Sequence, residues 1–149
     1  MLVLAFAPAA VAARSARAEA PQHRPASSSL GLRAAHFARH LLGIRYTWGG
    51  GSPASGFDCS GLVAFVYGHF GIRLPHYTGA QFQVGRPVSR RALRPGDLVF
   101  FAGLSHVGLY LGRGRVLHAN HTGGSVRIDR LGESWFRSTY AGARRIIAT

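Results

Sequence analysis

The 149-residue chain has one cysteine, one methionine, five acidic residues and no lysine. A single cysteine excludes an intrachain disulfide and any metal site built from several thiolates. With so few carboxylates, no acidic cluster completes a ligand set around the eight histidines. The set His118, His121 and Cys59 fails for the same reason, so no metal is expected. The net charge is +13, carried entirely by arginine. The absence of lysine says as much about genome composition as about physics. The excess favours anionic partners, whether nucleic acid, acidic headgroups or anionic cell-envelope polymers. Nucleic acid is set aside, because the arginines are scattered or merely paired (Arg90-Arg91, Arg144-Arg145) and no helix carries a basic stripe.

Long apolar runs are also missing. Leu2 to Ala13 is too short to span a bilayer, so no transmembrane segment is expected. It fits the hydrophobic region of a secretory signal, with Ala16-Arg17-Ala18 as cleavage site, although the positive leader that usually precedes such a region is missing. Residues 1–18 are therefore expected to be a signal peptide incomplete at its start, directing export to the periplasm or cell wall. No cysteine follows the run to carry a lipid. Residues 19–29 are rich in Ala, Arg, Pro and Ser without periodicity and are expected to form a disordered linker. Residues 30–149 are expected to form one domain, since 47% hydrophobic content is enough for a core.

What is present reads as helices first and sheet second, the α+β class. Ser27-Ser28-Ser29 offers an N-cap, Leu30, Ala34, Phe37, Ala38 and Leu41 fall on one helical face, and Gly43 ends it. Ile44 to Trp48 is short and extended. Trp48 to Gly56, with its glycines and Pro53, is expected to be an irregular loop. A second helix follows from Cys59, with Leu62, Val63, Phe65, Val66 and Phe70 at helical spacing and Gly71 at the C-cap. A short helix opened by Thr78 is expected, and Pro95-Gly96 suits a type II turn. Strands at Leu98–Phe101, Val107–Leu111, Arg115–Asn120, Ser125–Asp129 and Arg144–Ala148 are expected to form an antiparallel meander. There is no internal repeat.

The lone cysteine stands in Phe57-Asp58-Cys59-Ser60-Gly61-Leu62. Asp58 or Ser60 can cap the helix there, placing Cys59 in the first turn, where free N–H groups and the helix dipole favour a thiolate. A nucleophilic thiol needs a base, and the base needs a third polar group to orient it. His106 and His118, both on predicted strands, supply residues of the right type. Their register depends on the intervening turn. A two-residue turn at Arg113-Gly114 would set His106 opposite His121, whereas a three-residue loop Gly112-Arg113-Gly114 pairs Leu111 with Arg115 and sets His118 opposite Gly108, diagonal to His106. The three-residue loop, with Gly114 at the left-handed bulge position, is the expected one.

Five blocks now make a resemblance. Arg45-Tyr46-Thr47-Trp48-Gly49-Gly50, the Cys59 block, Leu93 to Phe101, Ser105 to Gly112, and Leu117-His118-Ala119 resemble the NlpC family of papain-like bacterial cell-wall cysteine peptidases. Cysteine precedes histidine, as in the unpermuted branch of that superfamily. The resemblance implies a papain-like fold with the nucleophile helix packed on a five- to six-stranded antiparallel sheet. It implies Cys59 as nucleophile, His106 as base, His118 as its orienting partner, and Tyr46 as an oxyanion-side hydroxyl. Trp48 is expected in the cleft wall, with Asp58 and Ser60 chiefly as caps. It also implies peptidoglycan stem peptides as substrate, cut between D-glutamate and diaminopimelate or lysine, with no cofactor, by a monomer. An inactive wall-binding module or a thiol-dependent transpeptidase or amidase are the alternatives.

Overall fold

The computed structural model describes residues 29–147. The predicted signal segment and the linker up to residue 28 lie outside the described residues, as does Ala148 at the end of the last predicted strand. The Ser29 side chain accepts the N–H of Leu32 at 3.2 Å and opens α1 (Leu30–Ala38), which tightens into a 3-10 turn at Arg39–Leu41. Then come β1 (Gly51–Ser52), β2 (Gly56–Phe57), α2 (Cys59–His69), α3 (Thr78–Gln81), β3 (Arg86–Pro87), β4 (Leu98–Phe101), β5 (His106–Gly112), β6 (Arg115–Ala119), β7 (Val126–Arg130), α4 (Ser134–Thr139) and β8 (Tyr140–Arg145).

The large sheet is antiparallel throughout, in the order β3-β8-β4-β5-β6-β7. Strands β4 to β7 form the expected meander. The last strand departs from it: it begins at Tyr140, earlier than Arg144, and returns beside β4 on the opposite edge from β5. The reason lies in α4, which the sequence reading missed. Its Phe136 and the neighbouring Leu131 cover a second apolar face made by Val99, Phe101 and Val116. Leu98, Phe100, Leu109 and Leu117 face the other way, onto Leu62, Val63 and Val66 of α2 and Ala34 and Ala38 of α1. With both faces covered, β4 buries all four residues, which is why it reads as a continuous apolar run and not as an alternation.

The glycine loop also differs from expectation. It folds into the β1–β2 ribbon, with Gly51 opposite Phe57 and Ser52 opposite Gly56. The hydroxyl and backbone bonds between Ser52 and Ser55 close its turn, so local polar pairing offsets the poor strand propensity of glycine. Ile44–Trp48 contributes only isolated bridges, Arg45 to Ser125 and Tyr46 to Phe57.

The Pro95-Gly96 turn forms as expected, with Gly96 at φ +93° and the Asp97 N–H donating to the Arg94 carbonyl at 3.0 Å. It ties three elements together. The Tyr67 hydroxyl of α2 donates to the Gly96 carbonyl, and the Gly96 N–H donates to the Tyr110 carbonyl of β5 at 2.8 Å. Asp97, 1% exposed, receives two 2.8 Å bonds from the Arg145 guanidinium of β8. Removing one member of such a buried pair strands the other charge. Asp97→Ala is therefore expected to lower the unfolding free energy by about 3–5 kcal/mol, read from denaturant melts; a loss below about 1 kcal/mol would show that the pair does not hold the turn to the sheet.

Candidate active site

Cys59 is the first residue of α2, and Asp58 is its N-cap. The Asp58 carboxylate is fully engaged. Oδ1 accepts the Gly61 N–H at 2.7 Å and lies 2.6 Å from His76 Nε2, while Oδ2 accepts the Gly49 N–H at 3.0 Å. One side chain thus holds the helix terminus, the glycine loop and the segment before α3 in register. The packing leaves no room for a side chain at Gly61, whose Cβ would stand 2.0 Å from the Gly50 carbonyl oxygen. Ser60 is buried and reaches Asp58 Oδ1 at 3.4 Å, so it belongs to the cap and does not present itself to solvent. Tyr46 lies close enough to Cys59 and Asp58 for both to act on its hydroxyl.

The histidines that share the cleft with the thiol come from the sheet. His106 opens β5, and the Val107 N–H beside it faces the Cys59 sulfur. His106 Nε2 lies 2.9 Å from His118 Nδ1 on β6, and His118 Nε2 lies 2.7 Å from Asp129 Oδ2 on β7. The register that achieves this is the expected one, reached by another route. The turn is two residues, Arg113 and Gly114, both at positive φ (53° and 71°), and it pairs Gly112 with Arg115. A register shift follows, leaving Leu111 as an extra residue, so Tyr110 pairs with Val116 and Leu109 with Leu117. His118 therefore falls beside Gly108. A Cβ on Gly108 would lie 2.5 Å from Val116 Cγ1 and 3.2 Å from His118 Cβ, so glycine is what lets the two strands bring the rings together.

Both ends meet in one cleft of about 1190 Å³, lined by Tyr46, Trp48, Cys59, His106, His118 and Trp135 among others. Trp48 is 87% exposed. His121 also lines the cleft but is not the residue bonded to His106. Among the described residues, no group of three or more His, Cys, Asp or Glu is arranged to hold a metal, and no helix is long and apolar enough to cross a membrane. The sequence reading missed Asp129, His76 and Trp135, which packs on the His106 ring at 5.9 Å. Asp129 was legible only as a strand end, because the loop from Asn120 to Ser125 hides the β6–β7 register. His76 and Trp135 lie next to or in helices too short to show a period.

The NlpC/P60 family model matches residues 43–145. The chain belongs to the NlpC/P60 family. It is 41% identical over 101 residues to peptidoglycan endopeptidase RipA of Mycobacterium tuberculosis, covering 58% of this chain and 21% of that protein. It is 39% identical over 114 residues to murein DD-endopeptidase MepH of Escherichia coli, covering 71% of this chain and 42% of that protein. The crystal structure of an NlpC/P60 family protein from Bacillus cereus superposes with a TM-score of 0.75 at 35% identity, over 79% of this chain and 40% of that one. The chain thus spans less than half the length of these relatives, and the α+β architecture is that of the family.

The electrostatics of this NlpC/P60 site differ from the expectation of a readily ionised thiol. Burial pushes the Cys59 thiol up and the Asp58 carboxylate adds to it, outweighing the backbone N–H groups of Val107, Ser60 and Cys59 that draw it down. Burial, then His118 and His121, press His106 down to about 3. His118 is lowered by burial despite its bond to Asp129. Tyr46 is raised by burial, and further by Cys59 when that is ionised and by the Asp58 carboxylate, so it keeps its proton and stays a donor. Both shifts favour a neutral thiol and a neutral imidazole. Alkylation of Cys59 by iodoacetamide is expected to keep accelerating between about pH 6 and pH 9; a rate already at its plateau near pH 5 would indicate a preformed thiolate–imidazolium pair.

Proposed function

We propose that this domain is a cysteine peptidase that hydrolyses amide bonds in the stem peptides of peptidoglycan, acting outside the cytoplasm. The carrying observation is one cleft lined both by a free thiol at a helix N-terminus and by a histidine whose Nε2 is already engaged by a second histidine. Only Nδ1 of His106 is then left to take the thiol proton. In this reading His106 removes that proton as Cys59 attacks the amide carbonyl, then passes it to the leaving amine. Water, activated by His106, releases the acyl group. The backbone N–H groups of Cys59 and Ser60, which draw the thiol down, and the protonated Tyr46 hydroxyl are, in the same reading, the donors to the oxyanion. Each such donor is typically worth about 10²–10³ in rate.

The substrate class is supported by the relatives named as peptidoglycan and murein endopeptidases. Within the stem, the proposal takes the bond between D-glutamate and the diamino acid, while the name of MepH specifies a DD bond. Export fits a reactive thiol with no second cysteine to pair with. The basic surface suits the free carboxylates of the stems and anionic envelope polymers.

Digestion of purified peptidoglycan, followed by muramidase treatment and mass spectrometry, tests this directly. Cleavage at the γ-D-glutamyl bond leaves disaccharide-dipeptides, whereas DD cleavage releases uncrosslinked tetrapeptide monomers. Cys59→Ser is expected to fold normally and lose at least about 10³-fold in kcat, since the serine hydroxyl is a far weaker nucleophile in a site with this base. Activity within tenfold of the wild type would sink the thiol mechanism, and products that appear only with an added acceptor amine would make the domain a transferase.

A further inference from the structure

Beyond Cys59, His106 and His118, the structure holds a carboxylate with no assigned task. Asp129, 12% exposed, bonds through Oδ2 to His118 Nε2 at 2.7 Å and through Oδ1 to Arg127 Nη2 at 2.8 Å. Arg127 lies directly across the strand pair from His118, and Asp129 across from Val116 on the same sheet face. We propose that Asp129 is the positioning residue that sets the tautomers of both histidines, and that Arg127 makes its position intolerant of asparagine. The inference rests on the reading of Cys59 as nucleophile and His106 as base.

The argument follows the protons. A carboxylate only accepts, so His118 must carry its proton on Nε2. In neutral His118, Nδ1 is then bare and must accept from His106 Nε2–H. His106 Nδ1 is bare in turn, which is the form that can take a proton from the thiol. His118, 3% exposed, cannot recruit solvent to set its tautomer by other means. A guanidinium only donates, so Arg127 claims one oxygen of Asp129 and leaves the other for His118.

With asparagine at 129, Arg127 would draw the lone amide oxygen to itself and turn the NH₂ toward His118. Nε2 would then have to be bare, Nδ1 protonated, His106 Nε2 bare, and His106 Nδ1 protonated toward the sulfur. Every ring would be in place and the base would be unable to accept. With alanine at 129, nothing selects either tautomer, and a productive fraction survives. The isosteric replacement is therefore worse than the truncation, the reverse of what packing alone would give.

The full chain carrying Asp129→Asn, Asp129→Ala or the double change R127A/D129N is assayed for muropeptide release, with thermal melts to verify folding. Asp129→Asn is expected to fall about tenfold below Asp129→Ala in kcat, with KM unchanged within about twofold, the scale of one hydrogen bond to a charged group. R127A/D129N should climb back to the Asp129→Ala level, because the amide is freed to turn. Asp129→Asn equal to or better than Asp129→Ala, or a deficit that removal of Arg127 does not relieve, overturns the proposal. Nitrogen-15 spectra of the wild type give a readout independent of variant folding. His118 should be protonated at Nε2 and His106 at Nε2, and the opposite tautomers would refute the inference. If Cys59→Ser keeps its activity the catalytic reading itself fails, whereas an inactive Cys59→Ser beside an active Asp129→Asn rejects only the role of Asp129.

Discussion

The carboxylate of Asp58 is the constraint on which the site is built. Four backbone N–H groups at a helix start have no partner within the helix, and here one acidic side chain answers one of them while reaching out to two other segments. Through Gly61 it caps α2, through Gly49 it holds the glycine loop, and through His76 it holds the approach to α3. The residue after the cap is Cys59. Its position relative to the cleft walls therefore follows from a capping interaction, and the buried Gln81 repeats the tie from below, its amide donating to the Ser60 and Pro75 carbonyls at 2.9 and 2.8 Å. The same carboxylate has an electrostatic cost, since it opposes ionisation of the neighbouring thiol. Geometry and charge pull in opposite directions at this point, and the structure favours geometry.

Charge is distributed unevenly over the molecule. Asp58, Asp129 and Glu133 line the cleft, and Asp97 is locked to Arg145 in the interior. Among the described residues, Arg127 lines the cleft and pairs with Asp129, while Arg145 is held inward by Asp97. The attraction of a basic exterior for anions is long-range, and salt screens it over a Debye length. Inside the cleft, short hydrogen bonds to neutral histidines take over, and these are far less sensitive to salt.

The register of β5 against β6 shows how a correct strand pairing can be reached from an incorrect turn. The three-residue loop and the observed two-residue turn followed by a bulge at Leu111 insert the same single residue, so they agree at Gly108 and His118 and differ only at the tip. Alternation of side chains then does the rest, because a residue's face depends on the count of residues and not on where the extra one sits. The ribbon β1–β2 and helix α4 are different failures. Both are too short for a period to be read, and both are stabilised by contacts with distant segments, the first by Phe57 in the main core and the second by Phe136 against β4 and β6.

Local information sufficed for what depends on neighbours in the chain. The cap at Asp58, the helix that follows Cys59, the Pro95-Gly96 turn and the central strands were legible because spacing, capping chemistry and turn residues act over a few positions. The candidate grouping of Cys59 with His106 and His118, which line one cleft, was drawn from residue type and resemblance. Only the tertiary structure brought in Asp129, His76 and Trp135, whose contacts cross loops of unreadable register. It alone set the direction of the pKa shifts as well. The helix terminus argues locally for a thiolate, but desolvation depends on how many atoms of the whole fold surround the sulfur and the imidazoles, and that sum outweighs the local donors.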